Sequence, residues 1–122
     1  MRTLVGIGGS DDSLRALTVA LDRAAAAGDD VTVAVVENPD SELSVEAVER
    51  RVHEDLDGRG VEAEVRVLRG HPGSRLVEVA DSEGFDRIVL GGGETSPLGK
   101  ITIGSIAEFV LLNANTTVTL VR

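Results

Sequence analysis

The sequence predicts an α/β fold: a doubly wound five-stranded parallel sheet with helices on both faces. Three observations predict it. Apolar runs of strand length alternate with stretches of helical periodicity from one end of the chain to the other. Glycine, serine or proline marks most of the changes between the two patterns. The chain has 122 residues, 42% of them hydrophobic, enough for one core and too few for two. Strands interleaved with helices at this spacing call for right-handed crossovers. No repeat, low-complexity tract or linker interrupts the alternation, so residues 1–122 read as a single domain.

The first strand is Thr3–Gly8, stopped by Gly8-Gly9-Ser10. Ser10 suits an N-cap, Asp11 and Asp12 sit in the first turn against the helix dipole, and Leu14, Leu17, Leu21 and Ala24 recur at helical spacing up to Gly28. Val31–Val36 is a second, buried strand, followed by a polar loop, Glu37–Leu43, that contains Pro39. Ser44 opens a helix with Val45, Val48, Val52 and Leu56 on one face, ended by Gly58 and Gly60. Val61–Leu68 alternates strictly, the pattern of an edge strand with one covered face. Pro72 takes a first helical position, and Leu76, Val79 and Ala80 form the buried side of a third helix. Arg87–Leu90 is a fourth, central strand. A glycine-rich loop, Gly91–Gly104, then leads into a helix carrying Ile106, Phe109 and Val110, and Thr117–Val121 is the last strand.

Charge narrows the partners. Twenty-one acidic residues against twelve basic ones leave a formal charge of −9, which repels phosphate backbones and argues against nucleic-acid binding. Every basic residue except Lys100 is arginine. An acidic excess with almost no lysine is expected of a protein working in high salt, where screening quenches self-repulsion. A GC-rich genome would favour the same arginine usage without salt adaptation. The longest apolar runs are strand-sized, so no membrane span is expected. No basic segment followed by an apolar one opens the chain, so the expected location is the cytoplasm. The absence of cysteine excludes disulfides, thiolate metal sites and a cysteine nucleophile.

In a doubly wound sheet, ligands bind beyond the carboxyl ends of the strands, where strand order reverses. Two loops at that edge are glycine-rich, Gly6–Ser10 and Gly91-Gly92-Gly93, and each runs into a helix N-terminus, a ready anion site. A P-loop would need glycine at Glu94 and a hydroxyl at Ile101 around Gly99-Lys100, so it fails twice. A dinucleotide fingerprint from Gly6-x-Gly8 meets Asp11 at its third glycine, a charge of the wrong sign beside a pyrophosphate; Glu37 comes too early to serve as its ribose acid.

The whole chain resembles the universal stress protein (UspA-like) family. The resemblance is carried by the opening LVGIGGSDDSLRAL, by Arg69-Gly70-His71-Pro72 with the later LVEVADSEGFDRIVLG, and by the ending GSIAEFVLLNANTTVTLVR. The family's nucleotide motif, G-2x-G-9x-G-[ST], is matched by Gly91 and, at the correct distance, by Gly104-Ser105. The resemblance implies strand order 3-2-1-4-5 in an adenine nucleotide alpha hydrolase-like fold, and a homodimer joined through the last strand, Thr117, Val118, Thr119, Leu120 and Val121. It also implies a stress-response module binding ATP or AMP, with Gly91, Gly104, Ser105 and Ile106 at phosphate and ribose and Gly8 and Val36 near the base. Ser10 joins these as a candidate at the first loop.

Two departures make weak or cation-dependent binding the expectation. Glu94 stands where the motif has its second glycine, and Gly8 where the family usually has an aspartate. A carboxylate about 5 Å from a phosphate charge costs on the order of 3 kcal/mol at an effective dielectric near 20. A Mg²⁺ held between Glu94 and the phosphates would turn repulsion into bridging, and Lys100 could neutralise phosphate. Some members of the family bind no nucleotide, so a dimeric interaction protein is the alternative. His71 reads as a helix cap, His53 as a solvated side chain beside Glu49, Glu54 and Asp55, and Asp11-Asp12 as first-turn acids. No general base is placed for hydrolysis, so an enzyme is not expected.

Overall fold

A computed structural model describes residues 1–39, 41–92, 94–95, 101–102 and 104–121; for Asp11, Glu94, Thr95, Ile101 and Thr102 it describes the backbone alone. The elements follow in the order β1 (Arg2–Ile7), α1 (Asp11–Ala27), β2 (Asp30–Val36), α2 (Val45–Arg59), β3 (Glu64–Leu68), α3 (Pro72–Ser82), β4 (Arg87–Gly91), β5 (Glu94–Thr95), β6 (Ile101–Thr102), α4 (Ser105–Asn113) and β7 (Thr117–Val121). Five of the strands form one sheet in the order β3-β2-β1-β4-β7. All of its pairings are parallel, with Val5 opposite Val33 on one side and Val89 on the other. This is the expected 3-2-1-4-5 order, with β7 as the fifth strand.

The two-residue period of a strand divides the core in two. Leu4, Ala34, Val36, Ile88 and Leu90 point to one face and pack with Leu76, Val79 and Ala80 of α3 and Ala107 and Val110 of α4. Val5, Ile7, Val33, Val35 and Val89 point to the other and pack with Leu17 and Leu21 of α1 and Val48, Val52 and Leu56 of α2. The central strands therefore read as continuous apolar runs because both of their faces are covered.

Local capping sets where the helices start. Ser10 and Ser44 accept from the amides of Ser13 and Ala47, each at 3.1 Å, and His71 does the same for α3 through Nδ1, 3.0 Å from the amide nitrogen of Ser74. Among the described residues no helix is long and apolar enough to cross a membrane.

Two boundaries depart from expectation. Helix α2 runs through Gly58 to Arg59 and closes at Gly60, where the Val61 amide donates to the Leu56 carbonyl. That closure ties Val61 to the helix end, and β3 begins only at Glu64. Within the loop that follows β4, Glu94–Thr95 and Ile101–Thr102 pair antiparallel as a short ladder.

Candidate functional site

Strand order reverses between β1 and β4, and the loops leaving these two strands open onto a cavity of about 830 Å³. Seven of the predicted site residues, Gly8, Ser10, Val36, Gly91, Gly104, Ser105 and Ile106, line it. A second cavity of about 460 Å³ adjoins it towards α2. Gly8, Val36, Asn38 and Leu43 line both. Lys100 lies outside the described residues, as does the Glu94 side chain; the Glu94 backbone pairs with Thr102 in the β5–β6 ladder.

The two helix N-termini at the larger cavity differ. At α1 the first turn is closed by its own serines. Ser13 donates its amide to the Ser10 hydroxyl at 3.1 Å and its hydroxyl to the Ser10 carbonyl at 2.8 Å. The Gly9 amide donates in turn to the Ser13 hydroxyl at 3.2 Å, with Gly9 held at φ 91°, a region that favours glycine. Ser10 is thus first a cap. Helix α4 starts on Gly104, which has no side chain to cap with, so among the described residues no side chain caps its first-turn amides.

The glycines are kept for different reasons. A Cβ on Gly91 would stand 2.2 Å from the carbonyl carbon of Asp12 and 2.4 Å from the Ser13 nitrogen. Glycine at 91 therefore lets the end of β4 meet the backbone of α1, whatever it does for a ligand. At Gly104 nothing among the described residues lies within 4 Å of a built Cβ and φ is −65°, so neither packing against those residues nor backbone angle demands glycine there.

Acidic groups border the larger cavity. Asp12 lines it, with Oδ1 at 3.5 Å from an Arg15 guanidinium nitrogen, and Glu42 lines it as well. Among the described residues no group of three His, Asp or Glu side chains is placed to hold a metal ion. The smaller cavity is mostly apolar, with Val36, Pro39, Leu43, Val45, Val48 and Pro72 in its walls. Near it, Arg69 reaches Glu37 at 3.4 Å and Glu46 at 3.1 Å, tying the ends of β2 and β3 to the start of α2. Helix-start backbone bonding and then the Arg69 guanidinium hold the Glu46 carboxyl below the usual range.

Sequence reasoning assigned no role to Arg69, Asn38 or Leu43. Arg69 stands in a stretch that carried the family resemblance, but its partners Glu37 and Glu46 lie far away in the chain. His71 caps α3, and its ring lies 4.8 Å from that of Phe109. His53 is exposed on α2.

Comparison with known proteins agrees with this architecture. The model of the Universal stress protein family matches residues 1–122. Universal stress protein MJ0531 of Methanocaldococcus jannaschii is 33% identical over 73 residues, 60% of this chain and 43% of that protein; the match thus spans under half of the relative's length. A universal stress protein from Archaeoglobus fulgidus superposes with a TM-score of 0.81 at 26% identity, covering 100% of this chain and 98% of the other. A universal stress protein solved in complex with cAMP superposes with a TM-score of 0.76 at 28% identity, covering 100% and 97%.

Proposed function

The chain belongs to the universal stress protein family, and from that premise we propose that it is a small module that binds an adenine nucleotide, ATP or AMP. The observation that carries this reading is the start of α4. Gly104 is a glycine that packing among the described residues does not require, at a helix N-terminus bordering the larger cavity. First-turn amides without a side-chain cap and a bare Cα suit the close approach of a phosphate.

The phosphates then lie against Gly104, Ser105 and Ile106, with Gly91 beside them, and the base enters the smaller cavity past Gly8 and Val36. Apolar walls of valine, leucine and proline suit a flat heterocycle. The cAMP complex of a similar protein supports an adenine ligand. Asp12 and Glu42 in the wall, Glu94 in the loop and a net charge of −9 oppose a polyphosphate. Binding is therefore weak without a divalent cation; Mg²⁺ would offset the charge on the phosphates, and Glu94 is the residue that would hold it. We assign binding and not catalysis, in the cytoplasm. Isothermal titration with ATP and with AMP, with and without Mg²⁺ and in low and high KCl, tests the reading. Heat of binding that grows with Mg²⁺ for ATP supports it; no heat under any condition overturns it.

A dimer through β7 is part of the proposal. This strand pairs with β4 on one side and ends the sheet, leaving a row of backbone groups that a second copy would satisfy. The exposure of Leu111 and Leu112 on α4, 42% and 77%, favours the companion reading of a dimeric interaction protein without nucleotide. Light scattering at working salt gives twice the 12.7 kDa chain mass if the dimer holds. Salt adaptation is tested by a melting temperature that rises from low to multimolar KCl; a flat curve contradicts it.

A further inference from the structure

The loop after β2 folds against the turn after β1. A Cβ on Gly8 would stand 3.2 Å from the Cβ of Asn38, and one on Gly9 would stand 2.7 Å from the Oγ of Ser41 and 2.8 Å from Val48 Cγ2. Glycine at 9, held at φ 91°, thus leaves room for the Ser41 side chain. The loop fixes this serine from its own side as well. Its amide donates to the Asn38 carbonyl at 3.0 Å, and its hydroxyl accepts from the Leu43 amide at 3.1 Å.

Ser41 stands where the parts of a nucleotide would join. It lines the larger cavity, and Gly8 and Leu43, which line both cavities, mark the passage between them. The Ser41 hydroxyl is bonded to the amide of Leu43 and lies against Gly9, the neighbour of Gly8. With the base in the smaller cavity and the phosphate at Gly104–Ile106, the sugar has to cross this passage. A hydroxyl carries one donor hydrogen and two acceptor lone pairs. Accepting from Leu43 leaves the donor hydrogen of Ser41, and among the described residues its hydroxyl makes no other hydrogen bond. The Ser13 hydroxyl on the same cavity is spent within the start of α1, donating to the Ser10 carbonyl and accepting from the Gly9 amide.

We propose that Ser41 donates its hydroxyl to the ribose diol of the bound nucleotide. The inference rests on the nucleotide reading above and adds a residue that sets sugar selectivity. The test is titration of the full chain with AMP and with 2′,3′-dideoxyadenosine 5′-monophosphate, which lacks both ribose hydroxyls. The wild type prefers AMP by about fivefold to tenfold, the effect of one net hydrogen bond, and Ser41→Ala removes that preference. Ser41→Ala also takes the acceptor from the Leu43 amide. Loosening the loop in that way lowers both affinities alike, so the ratio of the two isolates the contact with the sugar. Equal affinities in the wild type, or a preference that survives in Ser41→Ala, overturn this inference while leaving nucleotide binding intact. If the wild type binds neither compound, the nucleotide reading falls and this inference falls with it.

Discussion

His71 joins two helices on one face of the sheet: its Nδ1 accepts from the Ser74 amide at the start of α3, and its ring packs on Phe109 of α4 at 4.8 Å, tilted by 60°. The neighbouring Gly73 makes room for this contact, since a Cβ there would lie 2.6 Å from Phe109 Cδ1. One imidazole thus caps one helix and packs on the next, whose N-terminus borders the larger cavity.

Replacing His71 with alanine removes the cap and the ring contact together. The expected loss is about 2 kcal/mol, roughly half from each. His71→Asn keeps a capping side chain and loses only the ring contact, so it falls about midway. Urea denaturation midpoints at constant slope measure both.

Gly91 and Gly104 give opposite outcomes. Gly91→Ala drives a methyl into the α1 backbone and costs about 3 kcal/mol or more, because backbone yields less readily than a side chain. Gly104→Ala meets no described residue within 4 Å, costs under about 1 kcal/mol and weakens nucleotide binding. Thermal melts paired with titration separate the two. Equal destabilisation by both would contradict the distinct roles assigned to these glycines.

The ion pairs at the amino end of the sheet set an acid limit. Arg66 bonds both Glu64 and Glu83 and holds the Glu83 carboxyl below the ordinary glutamate value of 4.5. A carboxylate whose value is depressed by folding stabilises the fold above its unfolded value, and that contribution is lost as pH falls through the folded one. Stability therefore declines as pH drops below about 4.5. Arg66→Gln flattens that part of the curve, with the largest difference from the wild type at neutral pH. The check is a pair of denaturation series from pH 7 to pH 3.

Much of this fold was legible because each central strand is a continuous apolar run and α1, α2 and α3 each carry a side-chain cap. Val31–Val36 and Arg87–Leu90 needed no tertiary information to be read as buried strands, and Ser10, Ser44 and His71 marked helix starts by side-chain chemistry alone. The β5–β6 ladder was not legible, since two-residue strands carry no periodicity. The start of β3 was misplaced because the alternation of Val61–Leu68 continues across the closing turn of α2. At the site, spacing marked Gly91 and Gly104 as equivalent motif glycines. The contact that makes Gly91 structural lies with Asp12, far away in the chain. The facing of Gly8 and Asn38 is likewise a product of β1 and β2 lying side by side, and no local pattern announces it.

Charge gives a prediction at Glu94. Removing its carboxylate by Glu94→Gly restores the motif glycine and raises ATP affinity in Mg²⁺-free buffer by about tenfold or more. The gain shrinks at high KCl, where screening already weakens the repulsion. Titration of both proteins at two salt concentrations measures it.

The most direct test of the central claim is an amide correlation spectrum of the ¹⁵N-labelled protein titrated with AMP. The account predicts shifts concentrated at Gly8, Asn38 and the amides of Gly104–Ala107, with α2 beyond Val52 unchanged. No shifts at these amides with AMP, or with ATP and Mg²⁺, or shifts confined to β7 and the exposed face of α4, would contradict it.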